Sequence, residues 1–281
     1  GCGGDGLGGG VTALPRAAGL VYRSVGDVGA HVALLVHGYP ESSYMWDAVL
    51  RVLPAAGWRG VAPDLAGYGD SPPDPPGTWE RHVEALERFR DELGLERVVL
   101  VVHDWGGLIG LRWACEHPDA VSALVISDSG FFPDGKWHGM AQVMRTPKEG
   151  EELLASLDHG GFATLMRQSS PGIEDSAIAE YWKCFADEDR RRGHLELYRS
   201  GDFEKLAPYE GRLASLGVPV LLLWGENDPF APVAGAHRFM REIPEARLEV
   251  IEDAGHFVFD EEPERCARAI VDFLSGVVAG A

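Results

Sequence analysis

The chain is short of basic residues. Lys and Arg number 25 against 44 Asp and Glu, a formal charge of −19 at pH 7. Nucleic acid and anionic membrane surfaces need cations to neutralise phosphates, so neither partner is expected. The excess of carboxylates reads as a solvated surface. Cysteine is scarce and scattered. Cys2, Cys115, Cys184 and Cys266 form no Cys-x-x-Cys and no Cys/His cluster with metal spacing, so no metal site is expected and no cofactor is implied. Cys115 and Cys266 lie among apolar neighbours in helical patterns and read as small core residues. No apolar run reaches membrane-spanning length, and no charged-then-apolar segment opens the chain. The expected compartment is a reducing cytoplasm. Gly and Pro form no tracts except at the start, where Gly1 to Gly10 lacks an apolar period and reads as a flexible end.

What is present is a large core in waiting. A chain of 281 residues, 45% hydrophobic, sits near the upper limit for one domain. Strand and helix signals alternate along it. Leu20 to Ser24, His31 to Val36, Gly60 to Pro63, Val98 to Val102, Val121 to Ser127, Val218 to Trp224 and Arg247 to Ile251 read as strands. Ser43 to Ala56, Trp79 to Glu92, Leu108 to Glu116 and Glu262 to Leu274 read as helices. Such alternation predicts an α/β fold, a mostly parallel sheet with helices on both faces. Ligands then bind at the carboxyl ends of the strands. Between Phe131 and Leu216 the alternation stops. That stretch is polar, helical in period, and divided by Gly135, Pro147, Gly160-Gly161 and Pro171-Gly172. It reads as a helical insertion over the carboxyl ends, a lid that excludes water. The expected organisation is a core of residues 1–131 and 213–281 with a cap of residues 132–212.

Chemistry is concentrated at the strand ends. His103-Asp104-Trp105-Gly106-Gly107 follows the apolar run Val98 to Val102 and leads into a helix. A tight strand-to-helix turn of this kind presents a Ser in Gly-x-Ser-x-Gly hydrolases. Here Asp104 stands at the tip. A carboxylate forms an alkyl ester only with an electrophilic sp3 carbon, so the turn suits attack on carbon rather than on a carbonyl. His256, in a Gly-containing loop after the last strand, stands where this architecture places its general base. Asp228 ends the preceding strand and would orient His256, in the chain order nucleophile, acid, base. Asp128, at the end of Val121 to Ser127, is an alternative acid; a turn-forming Asp at a strand end is common for structural reasons alone. His37-Gly38-Tyr39-Pro40 follows an early strand. The backbone N–H groups of Tyr39 and Trp105 would form an oxyanion hole for the tetrahedral stage of ester hydrolysis.

These motifs, with Glu41 to Trp46, Ala62 to Ser71, Trp224-Gly225-Glu226-Asn227-Asp228 and Ala254-Gly255-His256-Phe257, resemble the α/β-hydrolase fold of the epoxide hydrolase and haloalkane dehalogenase group. The resemblance runs from about Leu20 to Leu274. It implies an Asp nucleophile, a covalent alkyl-ester intermediate, and a small apolar organic substrate with water as partners; oligomeric state is not implied. The two halves of the group are divided by their leaving-group donors. Trp105 matches the indole that holds a halide, and Val102 and Glu41 to Trp46 lean the same way. Tyr39 stands where dehalogenases often carry Asn, which resembles epoxide hydrolases. Tyr198, in Leu195 to Gly201, resembles the cap Tyr that donates to an epoxide oxygen. A second such Tyr is absent from Phe131 to Gln168; Trp137 or His138 could supply that donor. Trp105, Trp137, His138 and Phe257 are expected on the substrate pocket. The Arg residues that fluoroacetate dehalogenases carry close after the nucleophile are replaced here by Trp105 and Leu108, so an anionic haloacid is not expected. The resemblance implies epoxide hydrolysis first, haloalkane dehalogenation as the alternative, and a non-catalytic ligand-binding protein as a third reading.

Overall fold

A computed structural model describes residues 13–279. The expected flexible stretch Gly1 to Gly10, with Cys2, lies outside the described residues. Eight strands form one sheet: β1 (Arg16–Ala17), β2 (Leu20–Val25), β3 (His31–Val36), β4 (Trp58–Pro63), β5 (Val98–His103), β6 (Val121–Ser127), β7 (Val220–Gly225) and β8 (Arg247–Ile251). Their spatial order is β1-β2-β4-β3-β5-β6-β7-β8. The β1–β2 and β2–β4 pairs are antiparallel, and every other pair is parallel. This is the α/β class expected from the alternation, in the α/β-hydrolase arrangement that the resemblance implies. Val98 to Val102 in β5 are all fully buried. A central parallel strand is covered on both faces, so it reads as a continuous apolar run rather than an alternating one. The chain runs from β3 outward to β4, then returns to β5 on the other side of β3. Strand order therefore reverses between β3 and β5, and an open sheet has its natural crevice at that point.

Several boundaries differ from the sequence reading. Ser43 to Ala56 is not one helix. It is a 3-10 turn (Ser43–Trp46), a helix (Asp47–Val52) and a second 3-10 turn (Pro54–Ala56). Pro54 lacks the N–H that would continue the helix. The helix expected from Leu108 begins at Trp105, directly after Asp104. Gly106 permits this, since a Cβ there would lie 2.1 Å from the Val36 carbonyl oxygen. The last helix is Pro263–Ala279, longer than expected. Strand β1 and the helix Ala234–Glu242 carried no clear signal. That helix buries only Ala236 and Phe239, so its apolar stripe is thin.

No strand is described between β6 and β7. The segment holds the helices Gly139–Arg145, Glu149–Ser156, His159–Ser169, Asp175–Trp182 and Glu188–Ser200, with shorter turns. It is tied to the sheet layer by specific bonds. The Trp79 N–H donates to Ser200 Oγ at 2.8 Å, and the Phe257 N–H donates to Ser170 Oγ at 2.9 Å. Tyr181 donates its hydroxyl to Asp260 at 2.8 Å. Cys115, Cys184 and Cys266 are buried free thiols. No helix among the described residues is long and apolar enough to cross a membrane.

Candidate active site

Asp104 occupies the single position between β5 and its helix, at φ 51° and ψ −124°. A non-glycine residue at positive φ is uncommon and costs about 1–3 kcal/mol, held only by surrounding structure. The Asp104 N–H donates to the Ser127 carbonyl, while its carbonyl accepts from the Gly107 N–H at 2.8 Å and from Ser129 Oγ at 2.7 Å. The turn is pinned on both sides. Gly38 then lets the β3 loop pass against it, because a Cβ there would fall 2.5 Å from the Asp104 Cβ. From that loop the Tyr39 N–H donates to Asp104 Oδ2 at 2.8 Å.

His256 Nδ1 lies 2.6 Å from Asp228 Oδ2, and its Nε2 lies 3.4 Å from Asp104 Oδ1. The ring is therefore held between two carboxylates. Burial alone would depress its pKa, but Asp228 and Asp104 outweigh burial and raise it well above the ordinary value. Burial alone would raise the Asp104 carboxyl; the hydrogen bond and charge of His256 outweigh it and hold Asp104 at about 2. Asp228 Oδ1 accepts from the N–H groups of Phe230 (2.7 Å) and Ala231 (2.9 Å). Burial opposes the Asp228 charge, but His256 and these donors keep its pKa lowered. Asp128, the alternative acid, is fully buried behind Asp228 and accepts from Ser127 Oγ and the Gly225 N–H. Asp128, Asp228 and His256 bring their ligand-type atoms within 4.8 Å of one another. The bond between His256 Nδ1 and Asp228 Oδ2 already occupies that ring nitrogen.

Two cavities meet at Asp104. The first, of about 280 Å³, is lined by Tyr198, His256, Phe257 and an apolar wall that includes Met144, Leu157 and Phe162. The second, of about 230 Å³, is lined by Asp128, Ser129, Lys136 and Trp137 among others, and shares Asp104, His138 and Phe230 with the first. One pocket expectation needs correction. Trp105 lines neither cavity; it is buried, stacked on Trp137 with centroids 5.2 Å apart, and set edge-on to Tyr198 at 5.4 Å. Trp137 reaches only the second cavity, and its indole N–H donates to the Gly201 carbonyl at 2.7 Å. The residue expected as a spare donor is thus committed to backbone. His138 caps the helix Gly139–Arg145 by accepting the Ala141 N–H, and burial lowers its pKa, so a neutral imidazole faces both cavities. The Tyr39 hydroxyl donates to His194 Nδ1 at 2.9 Å, leaving its backbone N–H as the group that faces Asp104.

The Tyr198 hydroxyl makes no hydrogen bond that meets ordinary geometry among the described residues, and its ring lies on the first cavity. Burial, then the Asp104 charge, raises the phenol well above its usual pKa, with the Trp105 indole opposing. It is a neutral O–H. The Trp105 indole nitrogen is buried without a hydrogen-bond partner.

Sequence reasoning missed His103 and Glu41. Both are fully buried, with His103 Nε2 3.3 Å from Glu41 Oε1 and the His103 ring 4.9 Å from that of His256. Burial lowers His103 to about 3, so its ring is neutral. The available signal was a polar residue closing an otherwise wholly apolar buried strand.

Comparison with known proteins agrees with this architecture. A family model for the α/β hydrolase fold matches residues 33–263. An epoxide hydrolase 3 of Siraitia grosvenorii is 31% identical, over 87% of this chain and 92% of its own. A haloalkane dehalogenase of Psychrobacter cryohalolentis is 30% identical, over 90% of this chain and 86% of its own. The crystal structure of the haloalkane dehalogenase DbeA from Bradyrhizobium elkani superposes with a TM-score of 0.85 at 25% identity, covering 95% and 98% of the two chains. The chain belongs to the α/β-hydrolase fold family. Within it, the chain is a hydrolase whose relatives include epoxide hydrolases and haloalkane dehalogenases.

Proposed function

We propose that the chain is an epoxide hydrolase acting on small apolar epoxides through an ester on Asp104. The observation that carries the choice is the Tyr198 phenol, a neutral O–H on the same cavity wall as Asp104. Asp104 Oδ2 rests against the Tyr39 N–H while Oδ1 faces His256. An oxygen of Asp104 attacks a ring carbon, the C–O bond breaks, and the alkoxide takes its proton from Tyr198. Water then attacks the Asp104 ester carbonyl and loses a proton to His256, which Asp228 orients. The oxyanion is held by the N–H groups of Tyr39 and Trp105. The alkoxide leaves with the proton from His256, giving the diol. The new Asp104 carboxyl then releases the second proton of the water. That proton returns through solvent to the Tyr198 phenolate, so that carboxylate and phenol are both restored. Formation of the ester removes the Asp104 charge and with it one of the two influences that keep His256 protonated. The base therefore becomes available when it is needed. A cavity of about 280 Å³ lies at the small end of ligand pockets and favours a small apolar substrate.

Haloalkane dehalogenation is the second reading, and the partnerless Trp105 indole supports it. A halide needs N–H donors rather than a proton, and the second indole, Trp137, is already bonded to Gly201. The test is a side-by-side assay with a terminal epoxide and a primary bromoalkane. Tyr198→Phe is expected to cut epoxide turnover by roughly 10²-fold or more, the range of a lost general acid, and to change bromide release little. Full epoxide activity in Tyr198→Phe, or strong bromide release that vanishes in Trp105→Phe, would replace the first reading with the second.

A further inference from the structure

Two buried carboxyls stand behind His256, where orienting one imidazole needs only one. Asp228 is arranged as an anion: His256 Nδ1 donates to Oδ2 at 2.6 Å, and two backbone N–H groups donate to Oδ1. Asp128 has a poorer set. The Gly225 N–H donates to its Oδ1 at 3.0 Å and Ser127 Oγ donates to its Oδ2 at 2.6 Å. No Lys or Arg pairs with either carboxyl among the described residues. Asp128 and Asp228 bring carboxyl oxygens within 4.8 Å of each other, both buried. Two buried carboxylates this close, with no Lys or Arg beside them, do not both ionise, so one of them holds a proton. With three donors at Asp228 and two at Asp128, the proton belongs on Asp128.

We propose that Asp128 is a neutral carboxylic acid that donates a hydrogen bond to Asp228, a positioning residue that fixes the orienting acid and restrains the basicity of His256. The inference rests on reading Asp228 and His256 as acid and base. The surrounding bonds are consistent with it. Ser127 gives its proton to Asp128, so His103 Nδ1, 3.2 Å away, donates to Ser127 Oγ. The His103 Nε2 is then an acceptor facing Glu41, which burial keeps neutral. Burial, followed by the Asp228 charge, likewise raises Asp128 far above the usual carboxyl range. The groups facing Asp128 are Asp228, His256, His103, Ser127 and the Cys266 thiol. Those facing His256 are Asp104, Asp228, His103, Glu41 and His138.

A neutral donor draws charge from Asp228 and weakens its hold on the imidazolium. Removing the donor therefore makes His256 harder to deprotonate. The readout is the acid limb of ester hydrolysis in single-turnover experiments, with a terminal epoxide or a primary bromoalkane as probe. Asp128→Ala is expected to move that limb up by about 0.5–1 pH unit. Asp128→Asn, whose amide can donate in place of the carboxyl proton, is expected to return it near the wild-type position. Were Asp128 instead ionised, Asp128→Asn would remove a negative charge and move the limb down; that result overturns the proposal. So does an unmoved limb in Asp128→Ala. Loss of the limb itself, with hydrolysis indifferent to His256→Gln, would strike the acid–base reading and not this one. Infrared spectroscopy of the unmutated protein gives an arm that needs no turnover. At about pH 9 a neutral-carboxyl band should be present and should survive in Glu41→Gln, Asp260 (pKa about 7) being ionised there. Absence of any such band overturns the proposal.

Discussion

At the scale of single residues, the site is governed by how charge is divided among Asp104, His256 and Asp228. Asp104 is held at about 2, and His256 is raised, because each stabilises the other's charged form. The two half-reactions of the proposed mechanism therefore respond differently to acid. Attack requires only an ionised Asp104, whose depressed pKa keeps it charged far into the acid range. Ester hydrolysis requires a neutral His256 and is lost as pH falls through the pKa of that group in the ester. In rapid-quench single turnovers, ester formation is expected to stay level from pH 8 down to about pH 4 while hydrolysis declines. An alkylation rate that falls together with hydrolysis would mean that a neutral His256 is needed for attack as well.

At the scale of elements, function depends on how closely the β3 loop and the helix after β5 approach. Gly106→Ala would put a methyl 2.1 Å from the Val36 carbonyl oxygen, in the turn that holds Asp104. It is expected to cost about 1–3 kcal/mol of stability by overpacking and to lower turnover with it. Gly276→Ala, in the last helix with no atom within 4 Å of the added Cβ, is expected to stabilise by up to about 1 kcal/mol. Denaturant midpoints of the two variants check this, and equal midpoints would contradict it. The sequence showed the strands of this region clearly, because a sheet covered on both faces demands unbroken runs such as Val98 to Val102. It showed the helix start poorly. Gly106 and Gly107 look like loop residues, and only the packing of Gly106 against Val36 and of Gly107 against Ser129 reveals why a helix needs them. Likewise Pro54 was the visible clue that Ser43 to Ala56 could not be one helix.

At the scale of the molecule, the helices between β6 and β7 complete the cavity whose floor is Asp104. They also hold the loop that carries His256, since Ser170 accepts the Phe257 N–H next to it. Asp104, His256 and Asp228 were legible because strand ends carry them in a fixed chain order. The apolar cavity wall was not, because which face of each short helix turns inward depends on how the helices pack. The stack of Trp105 on Trp137 was hidden for the same reason. The central claim is that Asp104 becomes covalently esterified, and trapping that ester tests it most directly. His256→Gln, mixed with a terminal epoxide and measured as the intact protein by mass spectrometry, should gain the mass of one substrate, on the peptide that contains Asp104. A variant that stays unmodified while the unmutated protein turns over the same substrate would contradict the account.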